Sequence, residues 1–142
     1  MNEERYAATR RFEGRTVEEM AARSREALAA EGFGVLTEID VQATLKKKLG
    51  VDRKPYLILG ACNPSLAHRA LEAEPAIGVL LPCNVTVFEG EDGATYVQAI
   101  RPKAMFEVVD NPAVKPIADE VEARLERVLG ALERAGKAGV GA

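Results

Sequence analysis

Aromatic residues are scarce in this sequence, and tryptophan is absent. Phenylalanine, tyrosine and tryptophan together make up 5% of the 142 residues, too few for the aromatic surfaces on which proteins stack single-stranded bases. An excess of positive charge is missing as well, because the formal net charge at pH 7 is −3. Binding to phosphate backbones depends on clustered lysine and arginine. The composition therefore argues against a nucleic-acid partner.

Long hydrophobic runs are also missing. The longest uncharged stretch, residues 75–88, is shorter than the roughly 20 residues that a membrane-spanning helix needs, and it contains Pro82. No apolar signal-peptide segment follows the acidic residues 1–4. With only two cysteines and no secretory signal, the sequence predicts a cytoplasmic protein with reduced thiols and no membrane partner.

The common catalytic motifs are absent too. The sequence has no P-loop, no G-x-S-x-G, no H-E-x-x-H, no C-x-x-C, and no G-x-G-x-x-G after a predicted strand. Its single histidine, His68, lies on the polar side of a predicted helix, where a solvated histidine is more common than a general base. The sequence thus leaves open whether the protein is an enzyme, and it indicates no cofactor.

The sequence does contain a regular succession of strand and helix patterns. Residue periodicity predicts strands at residues 6–12, 35–41, 56–62, 77–81, 85–88 and 95–100. Apolar and polar residues alternate poorly in the first strand, which we therefore expect at a sheet edge. They alternate well in the second strand, which predicts a half-buried strand. The third strand is apolar throughout, which is typical of a central strand. Helices are predicted behind the capping box of Thr16 and Glu19, over residues 41–49, behind Asn63, and from about residue 111 or 116 to 135.

This order of elements predicts an α+β fold. We expect a two-layer sandwich in which helices pack mainly on one face of a mixed β-sheet. Residues 1–135 form a single domain in this interpretation, and the glycine-containing residues 136–142 form a flexible C-terminal tail.

The two cysteines are the most distinctive feature. Each directly precedes an asparagine, in Cys62-Asn63 and in Cys83-Asn84, and each doublet lies where an apolar run ends. If the two strands are parallel neighbours joined by the intervening helix, both doublets lie at one edge of the sheet, roughly 5 to 10 Å apart. The helix N-terminus behind Cys62 favours a thiolate or a bound anion there. Pro82 is expected to end strand pairing and turn Cys83 out of the sheet.

This arrangement leads to the first functional hypothesis, a binding domain for a small ligand or a soft metal. The thiols of Cys62 and Cys83 are the candidate metal ligands or targets of an electrophile, and the amides of Asn63 and Asn84 would orient a polar group. The structural alternative is that both cysteines are buried core residues, with Asn63 as a helix cap and Asn84 as a turn former.

Two further hypotheses belong to other classes. A non-catalytic dimerisation or interaction module is the first, because the apolar strand at residues 56–61 and the heptad-like C-terminal helix predict a homodimer. An anion-binding domain is the second, with the helix N-terminus at Asn63 and the positive charges of Lys46, Lys47 and Lys48 as its parts. A solvated helix end also explains these lysines.

Several motif blocks resemble the prokaryotic family of domains of unknown function numbered 302. The resemblance covers about residues 11–105, and its A-C-N-P and L-P-C-N-V blocks are specific. It implies a small cytosolic α+β domain that forms dimers and has no established activity, and it brings no catalytic residue to this chain. The blocks are Gly32-Phe33-Gly34-Val35 with Glu38-Ile39-Asp40, Leu59-Gly60-Ala61-Cys62-Asn63-Pro64 with Ala67, Ala70-Leu71 and Glu74-Pro75, and Gly78-Val79-Leu80-Leu81-Pro82-Cys83-Asn84-Val85.

Overall fold

Five antiparallel strands form a single sheet in the computed structural model, which describes residues 3–141, with side-chain environments over residues 4–135. The strand order is β1-β5-β4-β3-β2. The strands are β1 (Ala7–Phe12), β2 (Gly34–Asp40), β3 (Tyr56–Cys62), β4 (Cys83–Glu89) and β5 (Thr95–Ile100). The helices are α1 (Val17–Ala30), α2 (Val41–Leu49), α3 (Pro64–Ala73), α4 (Pro102–Phe106) and α5 (Lys115–Gly141), with 3-10 turns at Glu3–Arg5, Pro75–Leu80 and Glu107–Val109.

Side-chain caps start the first three helices. The Thr16 hydroxyl accepts a hydrogen bond from the backbone N–H of Glu19 at 3.0 Å, and the Asp40 carboxylate accepts one from the N–H of Ala43 at 2.9 Å. Asn63 caps α3 in the same way, with Pro64 as the first helical residue. Such caps satisfy backbone donors that have no partner inside the helix. The predicted starts at Thr16 and Asn63 are confirmed.

One face of the sheet carries the core. The helix-facing side chains of the central strands are fully buried. Helices α1 and α5 pack on the sheet, and α3 packs against α5. The apolar stripe of α5 is buried there as well, so this helix covers its own sheet and its stripe offers no dimer surface. The α+β fold with helices on one face is confirmed. These buried residues include Leu59, Ala61, Val85, Val87, Val97 and Ala99 from the sheet and Val114, Ala118, Val121, Leu125, Val128 and Leu132 from α5 and the segment before it.

On the opposite face of the sheet, the side chains of the central strands are less deeply buried. Tyr56, Phe88 and Tyr96 lie side by side on β3, β4 and β5, with ring centroids 5.0 and 5.5 Å apart. These rings are only half-buried. This face is therefore the more solvent-accessible side of the sheet.

Three predictions about the sheet are wrong. The sheet is antiparallel throughout and not mixed. Residues 77–81 fall largely in the 3-10 turn Pro75–Leu80. Pro75 and Pro82 flank these five residues, and Ile77 alone among them is buried. Strand β2 is largely exposed where a half-buried strand was expected, since β3 is its only neighbour.

The predictions for the two ends of the chain have different outcomes. The predicted edge position of β1 is confirmed. Helix α5 continues to Gly141, past the predicted end at residue 135. Flexibility of residues 136–142 stays a prediction, and Ala142 lies outside the described residues. Within residues 3–141 no helix is both long and apolar enough to cross a bilayer.

Candidate functional site

The two cysteines lie at the same end of the sheet. Cys62 is the last residue of β3 and Cys83 is the first residue of β4, and Ala61 is the direct cross-strand partner of Cys83. Between them the chain runs through α3 and the 3-10 turn, which contact each other, and returns to the end that it left. The predicted meeting of Cys62 and Cys83 is therefore correct, although the parallel βαβ unit proposed as its cause is wrong.

A cavity of about 240 Å³ opens at this end of the sheet, and both cysteines line it. Its wall is mostly aliphatic and aromatic, and among the described residues no charged side chain belongs to it. Cavities of this kind are the usual sites for small ligands. The lining residues are Phe33, Leu36, Thr37, Ala61, Cys62, Asn63, Leu66, Ala67, Ala70, Leu81, Pro82, Cys83, Phe106, Ile117 and Val121.

A bulge in β2 forms one side of the cavity. The register between β2 and β3 shifts between Val35 and Thr37, so that Leu36 has no cross-strand partner. Thr37 then lies directly against Gly60, and Pro82, the residue before β4, also approaches Gly60. A Cβ atom at position 60 would lie 2.9 Å from the Pro82 Cγ and even closer to the Thr37 Oγ1. Glycine is thus required here by the close approach of two side chains.

Burial keeps the Cys83 thiol neutral. This residue is 8% exposed, and burial, followed by the nearby Cys62, raises the pKa of the Cys83 thiol from about 9 to about 11. A thiol with this pKa is protonated at neutral pH. The expectation that Pro82 turns Cys83 out of the sheet is wrong, because Cys83 pairs within β4 and faces the core. Cys62 is half-buried, and both cysteines are free.

The two asparagines have separate positions. The Asn63 side chain is buried, accepts a hydrogen bond from the Leu66 N–H at 3.1 Å, and donates one to the Glu31 carbonyl at 3.4 Å. Its amide therefore joins the start of α3 to the end of α1, as the structural alternative proposed. Asn84 is exposed on β4 opposite Gly60, and it lies outside the cavity wall. A site that uses both amides is not formed.

The cavity lacks a complete set of metal ligands among the described residues, and it also lacks the positive charges of the anion hypothesis. Over residues 3–141, no three His, Cys, Asp or Glu side chains are grouped so that they could hold a metal ion. The two thiols alone fall short of the four ligands of a structural zinc site. Lys46, Lys47 and Lys48 lie on α2, and none of them lines the cavity that Asn63 borders. The cavity therefore lacks the positive charges of the proposed anion site.

Sequence reasoning missed most of the cavity wall. Leu66 and Val121 belong to apolar stripes that the sequence shows, but nothing in those stripes indicates that they border a cavity. Phe106 lies on α4, in residues 101–110 to which no element was assigned. Leu36 lines the cavity because of the bulge, which alternation alone does not indicate.

Comparison with known proteins agrees with the fold. The family model described as "Domain of unknown function DUF302" matches residues 9–132. The crystal structure of an uncharacterized conserved DUF302 protein from Bacillus stearothermophilus has 32% sequence identity and a TM-score of 0.79, and the match covers 90% of this chain and 96% of that one. No curated protein matches the chain. The family resemblance seen in the A-C-N-P and L-P-C-N-V blocks is confirmed.

Proposed function

This chain belongs to the DUF302 family, and we propose that its domain binds a small, neutral, mainly apolar molecule in the cavity beside Cys62 and Cys83. The observation that carries the proposal is the cavity itself, about 240 Å³ in volume and lined by apolar side chains and two thiols. Concave sites with mainly apolar walls and a few polar groups are where proteins usually bind small molecules. A space of this size is therefore a candidate for occupation.

The volume limits the size of the ligand. An apolar cavity of about 150 Å³ accommodates benzene. The cavity here is larger than that, so it has room for a single substituted ring or a short aliphatic chain. Larger cofactors exceed this volume.

The wall limits the charge of the ligand. No charged side chain among the described residues lines the cavity, so an ionised ligand would lose its hydration without gaining a partner. A soft metal would find the two thiols but no third His, Cys, Asp or Glu side chain grouped with them among the described residues. A neutral molecule is thus favoured over the metal and the anion. The two free thiols suit a reducing compartment, and the proposal places the protein in the cytoplasm.

A chemical-shift titration of isotope-labelled protein tests the proposal, with toluene as the neutral probe and benzoate as its charged counterpart. We expect saturable shifts at the amides of Phe33, Cys62, Cys83 and Phe106 with toluene and none with benzoate. Equal responses to both probes, or shifts centred away from the cavity, would contradict the proposal. So would a stoichiometric metal in protein purified without added metal.

A pair of alanine variants gives the matched control. Ala67→Leu adds three carbon atoms to a lining position on α3, and Ala22→Leu adds the same atoms to an exposed position on α1. We expect Ala67→Leu to weaken toluene binding at least tenfold and Ala22→Leu to leave it unchanged. Equal binding by the two variants would show that the probe binds elsewhere.

A further inference from the structure

Leu36 differs from the other large apolar residues of the cavity wall because most of its side chain is exposed. It is 68% exposed, whereas Phe106, Ile117 and Val121 are buried. Thr37, the next residue of β2, lines the cavity and is exposed as well. The cavity is therefore most open to water where β2 forms its wall, and Leu36 presents apolar surface at that place.

The bulge in β2 accounts for the position of Leu36. Val35 pairs with Ala61 and Thr37 pairs with Gly60, which are consecutive residues of β3, so Leu36 is the extra residue of the bulge. A bulge leaves its extra residue unpaired, changes the direction of side chains and is common beside functional sites. Since no cross-strand neighbour packs beside Leu36, its side chain can change rotamer without disturbing the pairing of the two strands.

We propose that the Leu36 side chain packs onto a small apolar ligand in the cavity and shields the outer side of that ligand from water. This inference rests on the ligand binding proposed above and adds the residue that closes the site. The buried part of the wall surrounds the inner side of a ligand, and the side that faces β2 stays in water unless an apolar side chain covers it. Leu36 lines the cavity and has the exposed apolar surface for this contact. Removing apolar surface of both partners from water favours the complex.

The contact with Leu36 should act mainly on the rate at which the ligand leaves. A side chain that covers the ligand has to move away before the ligand can dissociate, and most differences in affinity among variants of one binding site lie in the dissociation rate. The fold itself should depend little on this leucine, because substitutions at exposed positions usually change stability only slightly. Ligand dissociation and stability therefore separate a role in binding from a role in folding.

Toluene binding by variants of residue 36 tests the inference, with the same chemical-shift titration of the full chain. We expect Leu36→Ala to weaken toluene binding about five- to tenfold, mainly through faster dissociation, which the line shapes measure. Leu36→Asn has a similar size but is polar and should weaken binding by a similar factor, whereas Leu36→Met keeps an apolar side chain and should weaken it least. Ile39→Ala is the matched control, because Ile39 lies on the same strand and is 47% exposed but lies outside the cavity wall.

The outcomes distinguish this inference from the proposed function. Unchanged toluene affinity in Leu36→Ala, or equal weakening in Ile39→Ala, would overturn the inference and leave the proposed ligand binding in place. Faster and tighter binding by Leu36→Ala would also overturn it, because Leu36 would then obstruct the entrance. If the unmodified chain did not bind toluene, the proposed function would fail together with this inference. Circular dichroism of each variant checks that the fold is retained, which the exposure of Leu36 and Ile39 predicts.

Discussion

Gly60 shows how one position without a side chain shapes the cavity end of the sheet. Thr37 and Pro82 occupy the space where a Cβ would lie. We expect Gly60→Ala to lower the free energy of unfolding by about 1 to 3 kcal/mol, because overpacking forces neighbouring side chains out of their rotamers or shifts the strands. Urea denaturation measures this change.

Two further variants control for the loss of glycine itself. Gly34 lies on the adjacent strand, and a Cβ there would meet no atom within 4 Å, so Gly34→Ala should leave stability within about 0.5 kcal/mol of the original. Adding Thr37→Ala to Gly60→Ala removes the nearest clash and should restore part of the loss. Equal destabilisation by the two glycine substitutions would refute the steric explanation.

The two thiols should differ in reactivity. Cys83 is buried and its thiol has a pKa near 11, whereas Cys62 is half-buried at the cavity wall. Because the thiolate is the reacting form, we expect one fast and one slow thiol when the native protein is titrated with Ellman's reagent near neutral pH. Both thiols should react rapidly after unfolding, without added reductant.

Single substitutions assign the two phases. Cys62→Ala should remove the fast phase, and Cys83→Ala should remove the slow one. Loss of the fast phase in Cys83→Ala would mean that burial does not protect this sulfur. If unfolded, freshly isolated protein showed no thiols at all, the assignment to a reducing compartment would be wrong.

At the scale of elements, the two Cys-Asn doublets provide a matched pair. Asn63 caps α3 and binds the Glu31 carbonyl, whereas Asn84 is exposed on β4. We therefore expect Asn63→Ala to lower the free energy of unfolding by roughly 1 to 2 kcal/mol. Asn84→Ala should change it by less than about 0.5 kcal/mol. Thermal unfolding of both variants decides the matter, and a larger effect at Asn84 would assign that residue a role that its exposure does not explain.

The helices that the sequence predicts best are those with a chemical signal at their start. Thr16 with Glu19 and Asn63 with Pro64 define the beginnings of α1 and α3 to the residue. The Thr16 and Asn63 side chains accept hydrogen bonds from the backbone N–H groups of Glu19 and Leu66. Gly50 likewise marks the end of α2 with a left-handed φ of 70°. Hydrogen bonds of this kind join residues that are close in sequence, so they can be predicted without knowledge of the tertiary structure.

Strand direction and burial lie beyond local patterns. An apolar run of five residues at 77–81 fits a strand or a helical turn equally well by periodicity. The helix predicted between the strands at residues 56–62 and 77–81 also suggested a parallel crossover between them. In the fold α3 and the 3-10 turn return the chain to the same end, so β4 runs antiparallel to β3.

The candidate site was predictable only in part for the same reason. Cys62 ends β3 and Cys83 begins β4, so the two residues meet because the strands are antiparallel. The sequence predicted the same meeting for a different reason, by placing Cys83 after a parallel strand at residues 77–81. Asn84 falls one residue further, and the two-residue period of a strand turns it to the other face. The contributions of Phe106 and Ile117 come from distant segments, which no local pattern connects to the cysteines.

At the scale of the whole molecule, the hydrophobic core and the cavity lie on the same side of the sheet. The helix-covered face holds nearly all of the fully buried side chains, and the cavity opens at its end between the strand termini, α3 and α5. Strand β2 leads into α2 at the opposite end of β3, where Asp40 pairs with Leu57.

Two residues are expected to make stability depend on pH: Asp92 at acidic pH and Cys83 at alkaline pH. Hydrogen bonds from the Tyr96 hydroxyl, the Ala94 N–H and the Arg11 guanidinium lower the pKa of Asp92 from 3.8 to about 2. The contribution of Asp92 is therefore present above its unfolded pKa and is lost as pH falls from about 4 to 2. Cys83 has the opposite sign, because its folded pKa is raised. Its contribution is present below about pH 9 and is lost as pH rises from 9 towards 11.

The alkaline limb gives the sharper test, because the group responsible is buried. Between pH 9 and 11 the unfolded chain ionises its Cys83 thiol while the folded chain keeps it protonated, so the folded state loses roughly 2 kcal/mol relative to a chain without this thiol. We expect urea denaturation to show that the difference in unfolding free energy between the original chain and Cys83→Ala is constant from about pH 6 to 8 and shrinks by that amount near pH 11. Asp92→Asn is the control, since it removes an acid-limb group and should leave this alkaline difference unchanged. A difference that stays constant up to pH 11 would mean that the Cys83 thiol ionises in the folded protein as readily as in the unfolded chain, and the sulfur would then be open to solvent through the cavity.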